Sequence, residues 1–179
     1  MIPILLALAI VVILLIVFVA GQPDEFKLSR SAIISAPPEK IFPHVNELKK
    51  WDAWSPWAKL DPQMKLTFDG PPSGVGSIYH WLGDKKVGEG WMTLTENRVP
   101  EFVRIRLEFI KPFQAVNTTE FLLQPEGSQT AVTWTMAGTH NFLSKAFALL
   151  MNMDRKVGGD FEKGLAQMKA VAEGRVAAR

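Results

Sequence analysis

The chain has 179 residues, of which 47% are hydrophobic and 21% are charged, and its formal net charge is +2. That is the length of one ordinary domain with an additional segment, and the small net charge gives no ground for predicting a nucleic-acid partner. Because the sequence contains no cysteine, a disulfide scaffold, a thiolate zinc site and a cysteine nucleophile are all excluded.

The additional segment lies at the N-terminus. Residues 1–20 carry no charged side chain and are almost all Ile, Leu, Val and Ala. Twenty helical residues span about 30 Å, the thickness of a bilayer's hydrocarbon core. We therefore predict an uncleaved single-pass membrane anchor. A cleaved signal peptide is the alternative, because residues 19–21 offer small side chains for cleavage, although no basic residue precedes the apolar run.

A short polar linker at residues 21–25 separates this anchor from a domain predicted over residues 26–173, and residues 174–179 are predicted to be a flexible tail. Basic residues follow the anchor, and only the terminal amine precedes it. Their count favours a cytoplasmic domain. Acidic residues stand among them at Asp24 and Glu25, so the side of the membrane stays open.

Seven strand-like runs, separated by turn residues, occupy most of the domain and indicate an antiparallel meander. They cover residues 26–35, 64–69, 74–82, 87–96, 102–110, 115–124 and 130–139. Two short helices are predicted over residues 37–53, where Pro37 and Pro38 begin the first. One long helix is predicted over residues 142–173, with Asn141 as its N-cap.

Alternation gives each strand one largely apolar face. In the run 102–110, for example, Val103, Ile105 and Leu107 lie opposite Arg104 and Arg106. The last helix carries a complementary apolar stripe, formed by Phe147, Leu150, Met153, Val157, Phe161, Leu165, Met168 and Val171, with Gly164 beside it. The pattern predicts a curved sheet around one long helix, with any space between them forming a cavity.

Five segments carry a resemblance to a known family. They are ISAPPEKIF at 34–42, WDAWSPW at 51–57, VGEGWMTLTE at 87–96, RLEFIKPF at 106–113 and DFEKGL at 160–165. The chain resembles the START-like (SRPBCC, polyketide cyclase/dehydratase-like) superfamily, in particular a bacterial subgroup with an N-terminal membrane anchor.

This resemblance implies an α+β helix-grip fold. Its curved antiparallel sheet of about seven strands wraps around a long C-terminal helix, with two short helices after the first strand and one transmembrane helix before it. Relatives bind lipids, hormones and polyketides between sheet and helix.

The inward residues of the sheet and of the last helix form the candidate ligand-binding set. They are Tyr79, Trp81, Met92, Val103, Ile105, Asn117, Thr119, Trp134, Met136, Asp154, Val157 and Phe161. Asn117 and Thr119 are polar residues on an apolar face, so they need hydrogen-bond partners from protein, water or ligand. Asp154 falls in the apolar arc of the helix. It is expected to pair with a cation, to line a wet cavity mouth, or to lie where the helix bends at residues 158–159.

The remaining aromatic and histidine residues give weaker indications. Trp51, Trp54 and Trp57 are better explained as anchors of the short helices than as walls of a ligand entrance. Alternation places Trp91 on the outer face. The three histidines show no metal-ligand spacing, so neither a metal nor a cofactor is predicted.

The leading function is that of a membrane-tethered domain that binds a hydrophobic small molecule or lipid. The resemblance also implies an alternative, a polyketide cyclase/dehydratase-type enzyme. In that case Asp154, His80 or Glu89 would be the acid–base candidates, although the sequence contains no nucleophile motif. A third reading is a non-enzymatic interaction module, because similar folds act as chaperone ATPase activators. The identity of the ligand and the oligomeric state do not follow from the sequence.

Overall fold

The computed structural model describes residues 2–140, 142–151 and 153–175. The predicted N-cap Asn141 and the end of the predicted tail, residues 176–179, lie outside these ranges. The elements are α1 (Ile2–Ala20), β1 (Glu25–Ile34), α2 (Pro38–Asn46), a 3-10 helix (Leu48–Ala53), β2 (Lys65–Asp69), β3 (Ile78–Leu82), β4 (Glu89–Arg98), β5 (Phe102–Lys111), β6 (Ala115–Glu126), β7 (Gln129–Thr139), α3 (Phe142–Met151) and α4 (Met153–Ala172).

The strands form one antiparallel sheet in the order β1-β7-β6-β5-β4-β3-β2. The predicted meander is therefore confirmed, and β1 closes it by pairing with β7 from Glu25–Thr139 to Ile34–Thr130. Because all neighbours are antiparallel, the start of β1 lies at the same end of the sheet as the ends of β3, β5 and β7. We call this the α3 end, since α3 follows β7 there, and the opposite end the α2 end.

The predicted alternation of inner and outer faces is also confirmed. The inner face, which α4 and the short helices cover, carries the fully buried side chains Leu94, Val103, Ile105, Phe121, Leu123, Val132 and Trp134. The outer face carries ion pairs, as at Arg104, which contacts Glu96 and donates from Nε to Glu120 at 2.8 Å. Burial of the inner apolar surface is the main stabilising contribution to this arrangement.

Six aromatic rings join the sheet to the helices. This aromatic cluster consists of Trp51, Trp54, Trp57, Phe121, Trp134 and Phe161. At its centre Trp134 of β7 stacks on Phe161 of α4, with ring centroids 3.9 Å apart. Trp54 is fully buried and donates from Nε1 to the carbonyl of His44 at 2.9 Å. The tryptophans after β1 are thus anchors of the framework.

The predicted C-terminal helix is described as two segments, α3 and α4, on either side of residue 152, which lies outside the described residues. Phe147 of the predicted stripe is 46% exposed, so the apolar stripe over the sheet does not include it. Lys145 of α3 contacts the carbonyl of Ala20 at the end of α1. The side chains of Leu150 and Met153 lie outside the described part of the chain.

Two glycines of α4 have opposite surroundings. Gly164 faces the aromatic cluster, and a Cβ there would lie 2.8 Å from the ring of Trp134 and 3.1 Å from Pro56. The predicted position of Gly164 beside the apolar stripe is therefore confirmed, and the absence of a side chain there lets the helix approach the sheet. A Cβ on Gly159 would meet no atom within 4 Å.

These surroundings predict opposite effects of alanine. Gly164→Ala is expected to lower the free energy of unfolding by about 1–3 kcal/mol, because the added methyl group overpacks a rigid ring. Gly159→Ala, the matched control, is expected to raise it by about 1 kcal/mol through helix propensity. Urea unfolding of both variants measures the difference. Equal shifts in the two midpoints would contradict the proposed close contact.

Candidate functional site

The inner face is closed toward the α2 end. Val103 and Ile105 near the start of β5 are fully buried, and Phe161 of α4 is 1% exposed. Trp134 is also buried, and its indole Nε1 has no hydrogen-bond partner among the described residues. Side chains of the aromatic cluster fill this half of the interior, so these four members of the predicted set are core residues.

The inner face is less completely covered toward the α3 end. One cross-strand row runs from Tyr79 through Met92 and Leu107 to Asn117. Met92 and Asn117 in this row are buried. Leu107 points inward from the central strand β5 and is nevertheless partly exposed, as is Phe109 one inward position further along. We call this row, together with Phe109 and Met136, the open row.

Asn117 is a buried polar side chain of the open row with spare hydrogen-bonding capacity. Its Nδ2 donates only to the sulfur of Met136 among the described residues, at 3.9 Å, which is a weak interaction. Gly138 lies opposite, and a Cβ there would come within 2.1 Å of the Asn117 Oδ1, so glycine makes room for the amide. By contrast, the hydroxyl of Thr119 donates to the carbonyl of Thr135 at 3.4 Å. Asn117 is therefore the group best placed to orient a polar end of a ligand.

Tyr79 and Trp81 form the β3 side of the open region. Trp81 lies against Gly90, where a Cβ would be 2.4 Å from its ring, and it donates from Nε1 to the carbonyl of Val87 at 3.4 Å. Burial, with a contribution from the negative charge of Asp52, raises the pKa of Tyr79 to about 12. The hydroxyl of Tyr79 therefore stays neutral at physiological pH and can donate a hydrogen bond.

Asp154 does not lie in the interior, and its placement on the apolar arc is wrong. Its side chain is 74% exposed and pairs with Arg30 at 3.2 Å. Arg30 reaches from β1 across α4, where it also binds Glu162 at 2.8 Å and lies where a Cβ of Gly158 would be. Of the three alternatives for Asp154, pairing with a cation is the one observed. Val157, one helical turn further on, is partly buried against the core.

The other two acid–base candidates lie on the outer face. The ring of His80 stacks on Trp91 at 4.0 Å, and its Nε2 is 3.5 Å from Glu89. A hydrogen bond from Lys111 lowers the pKa of Glu89. Beside them is a groove of about 480 Å³, lined by Ile78, Trp91, Thr93, Glu108, Phe109, Ile110, Gln114, Ala115 and Val116. Phe109 of the open row also lines this groove, which lies at the α3 end of the sheet.

Leu107 and Phe109 were not in the predicted set. Alternation places Leu107 on the same face as Val103 and Ile105, and it predicts the same burial for all three side chains. What distinguishes them is their position along the sheet relative to the aromatic cluster, which depends on contacts between distant parts of the chain. The pairing register alone would have put Leu107 beside Met92 and Asn117.

Residues 25–173 match the model of the family described as polyketide cyclase / dehydrase and lipid transport. The chain belongs to this START-like family. No curated protein matches it.

Solved structures of several other proteins share the fold of this START-like chain. Protein CV1439 from Chromobacterium violaceum is 16% identical with a TM-score of 0.59, and the match covers 85% of this chain and 99% of that one. The protein Ara h 8.0201 is 11% identical with a TM-score of 0.59, covering 84% and 99%. The Aha1 dimer from Colwellia psychrerythraea is 17% identical with a TM-score of 0.57, covering 84% and 99%. At these identities the likeness concerns the fold alone.

The environment of Tyr79 predicts its titration. Tyr79 is the only tyrosine of the chain, so ultraviolet absorbance of the phenolate reports this group directly. We expect a midpoint near 12 in the folded protein, against the ordinary value of 10.0. Because the folded-state pKa is the higher one, the contribution of Tyr79 to stability is complete below pH 10 and is lost as the pH rises toward 12. A midpoint near 10 in the folded protein would show that the ring is not buried.

Proposed function

We propose that this START-like domain binds a hydrophobic small molecule or lipid against the open row, at the α3 end of the inner face, and that α1 tethers it to a membrane. The observation that carries the proposal is the partial exposure of Leu107, an inward-facing apolar side chain on the central strand β5. When a ligand covers exposed apolar surface, the free energy of the system falls by about 25 cal/mol per Å² of surface removed from water.

The chemistry of the open row suits a ligand with a long apolar part and one polar end. Met92 and Met136 offer flexible thioether chains that adapt to irregular apolar shapes. Asn117 offers an amide that donates and accepts, and Tyr79 offers a neutral hydroxyl. A few polar groups in a mainly apolar site are typical of small-molecule sites. The family description, which includes lipid transport, supports the same class of ligand.

Support for the tether comes from α1. The helix Ile2–Ala20 is long and apolar enough to cross a membrane, and none of its residues is buried against the domain. An apolar helix left uncovered in water is unfavourable, whereas a bilayer covers it completely.

Binding is favoured over the enzyme alternative by the positions of the acid–base candidates. A cyclase or dehydratase needs a general acid or base within hydrogen-bond reach of the bound substrate. Asp154 is exposed and paired with Arg30, and His80 and Glu89 lie on the outer face.

Filling the open row is expected to block binding. In Leu107→Trp the larger side chain occupies the space in front of β5, so we expect the affinity for a dansyl-labelled fatty acid to fall by about tenfold or more, which corresponds to about 1.4 kcal/mol. Dansyl fluorescence titration of the full chain in detergent measures the affinity. Native mass spectrometry of the protein purified from its host checks for a co-purifying lipid.

The matched control is Leu122→Trp, the same substitution on the outer face of the neighbouring strand β6. It is expected to leave the affinity unchanged, and thermal melting verifies that both variants fold. Equal affinities of folded Leu107→Trp and folded Leu122→Trp protein would rule out the open row as the binding site.

A further inference from the structure

The helix α3 exposes large apolar side chains and buries its charged side chain, which is the reverse of the usual pattern for a helix in water. Its sequence, FLSKAFALLM, contains a single charged residue, Lys145, and that side chain is 7% exposed. Phe142, Phe147 and Leu149 on the same helix are 50%, 46% and 45% exposed. Helices on a protein surface normally place charge outward and large apolar side chains inward. The exposed side of α3 is therefore suited to an apolar environment.

The buried lysine fixes α3 to the end of the apolar helix α1. Its Nζ lies 2.6 Å from the carboxylate of Asp24 and 3.4 Å from the carbonyl of Ala20. The Asp24 carbonyl also accepts a hydrogen bond from the backbone of His140 at 2.6 Å, just before α3. The only cationic side chain of α3 is thus neutralised within the protein.

The connection between α1 and the domain is short. Asp24 is held by the domain, and it follows Ala20 by four residues, which span at most about 14 Å even when fully extended. A bilayer's polar region is about 5–7 Å thick on each side of the hydrocarbon core. Lys145 of α3 also contacts the carbonyl of Ala20 at the end of α1, so with α1 in the membrane the α3 end of the domain lies beside the polar region of the bilayer.

Other exposed apolar side chains occupy the same end. Phe113, in the turn between β5 and β6, is 60% exposed and contacts Phe147 at 6.0 Å between ring centroids. Val116 and Trp91, close to the ends of their strands, are exposed beside it. Lys85 and Lys86 are exposed in the turn between β3 and β4, at the same end, where anionic headgroups would attract them. Together Trp91, Phe113, Val116, Phe142, Phe147 and Leu149 form what we call the apolar rim.

We propose that the apolar rim docks into the interfacial region of the same bilayer that α1 spans, so that the open row faces the lipid directly. The proposal rests on the tether in the proposed function. It goes further, because a tether alone leaves the orientation of the domain open. Docking covers the exposed rings of α3 and gives a lipid a path from the bilayer to Leu107 that avoids bulk water.

The absence of cysteine from the sequence allows a direct test. Single nitroxide labels are placed at Phe147→Cys and Phe113→Cys in the rim, at Val99→Cys in the turn at the opposite end of the sheet, and at Leu8→Cys within α1. The full chain is reconstituted in phosphatidylcholine vesicles with one-fifth phosphatidylglycerol. Electron paramagnetic resonance then compares collisions with oxygen, which concentrates in lipid, and with a water-soluble nickel complex.

We expect the ratio of oxygen to nickel collisions to be severalfold higher at Phe147 and Phe113 than at Val99, and highest at Leu8. Rim labels that match Val99 while Leu8 reports lipid would overturn docking and leave the tether intact. Rim labels shielded from both reagents would indicate a protein contact and would also overturn it. A label at Leu8 outside lipid would overturn tether and docking together. The dansyl titration of Leu107→Trp tests ligand binding independently of these labelling results.

Discussion

The stacking of Trp134 on Phe161 is the contact on which the rest of the domain depends. The two rings are nearly parallel, with centroids 3.9 Å apart, and Gly164 allows α4 to come that close to β7. Trp54 and Phe121 surround the pair, so each ring contributes its own burial and about 0.5–1.5 kcal/mol per favourable aromatic contact. Together with the ion pairs of Arg30 to Asp154 and Glu162, this contact fixes the position of the last helix over the sheet.

That contact also divides the interior. Because large rings fill the half toward the α2 end, the incompletely buried inward side chains Leu107 and Phe109 lie in the half toward the α3 end. The α3 end is also where α1 joins the domain through Asp24 and Lys145. The proposed binding site, tether and docking surface therefore lie at the same end of the domain, next to the proposed membrane.

The sequence predicted the features of the structure that depend on local patterns of residues. Alternation along the strands identified the inner face, and the resemblance carried by residues 34–42 and 51–57 predicted the fold. The exposure of Phe147 was missed, because an apolar residue at helical spacing fits a stripe whether or not it contacts the sheet. Asp154 was misplaced for a related reason. Its partner Arg30 is 124 residues away along the chain, and nothing in a single sequence reports such a contact.

The central claim is that a ligand occupies the half of the interior toward α3. Methionine methyl NMR tests it most directly, because Met92 and Met136 belong to the open row, whereas Met168 of α4 is fully buried. On titration of the full chain with oleate, we expect the methyl resonances of Met92 and Met136 to shift while that of Met168 stays in place. A shift confined to Met168, or no shift at any of the three, would contradict the claim.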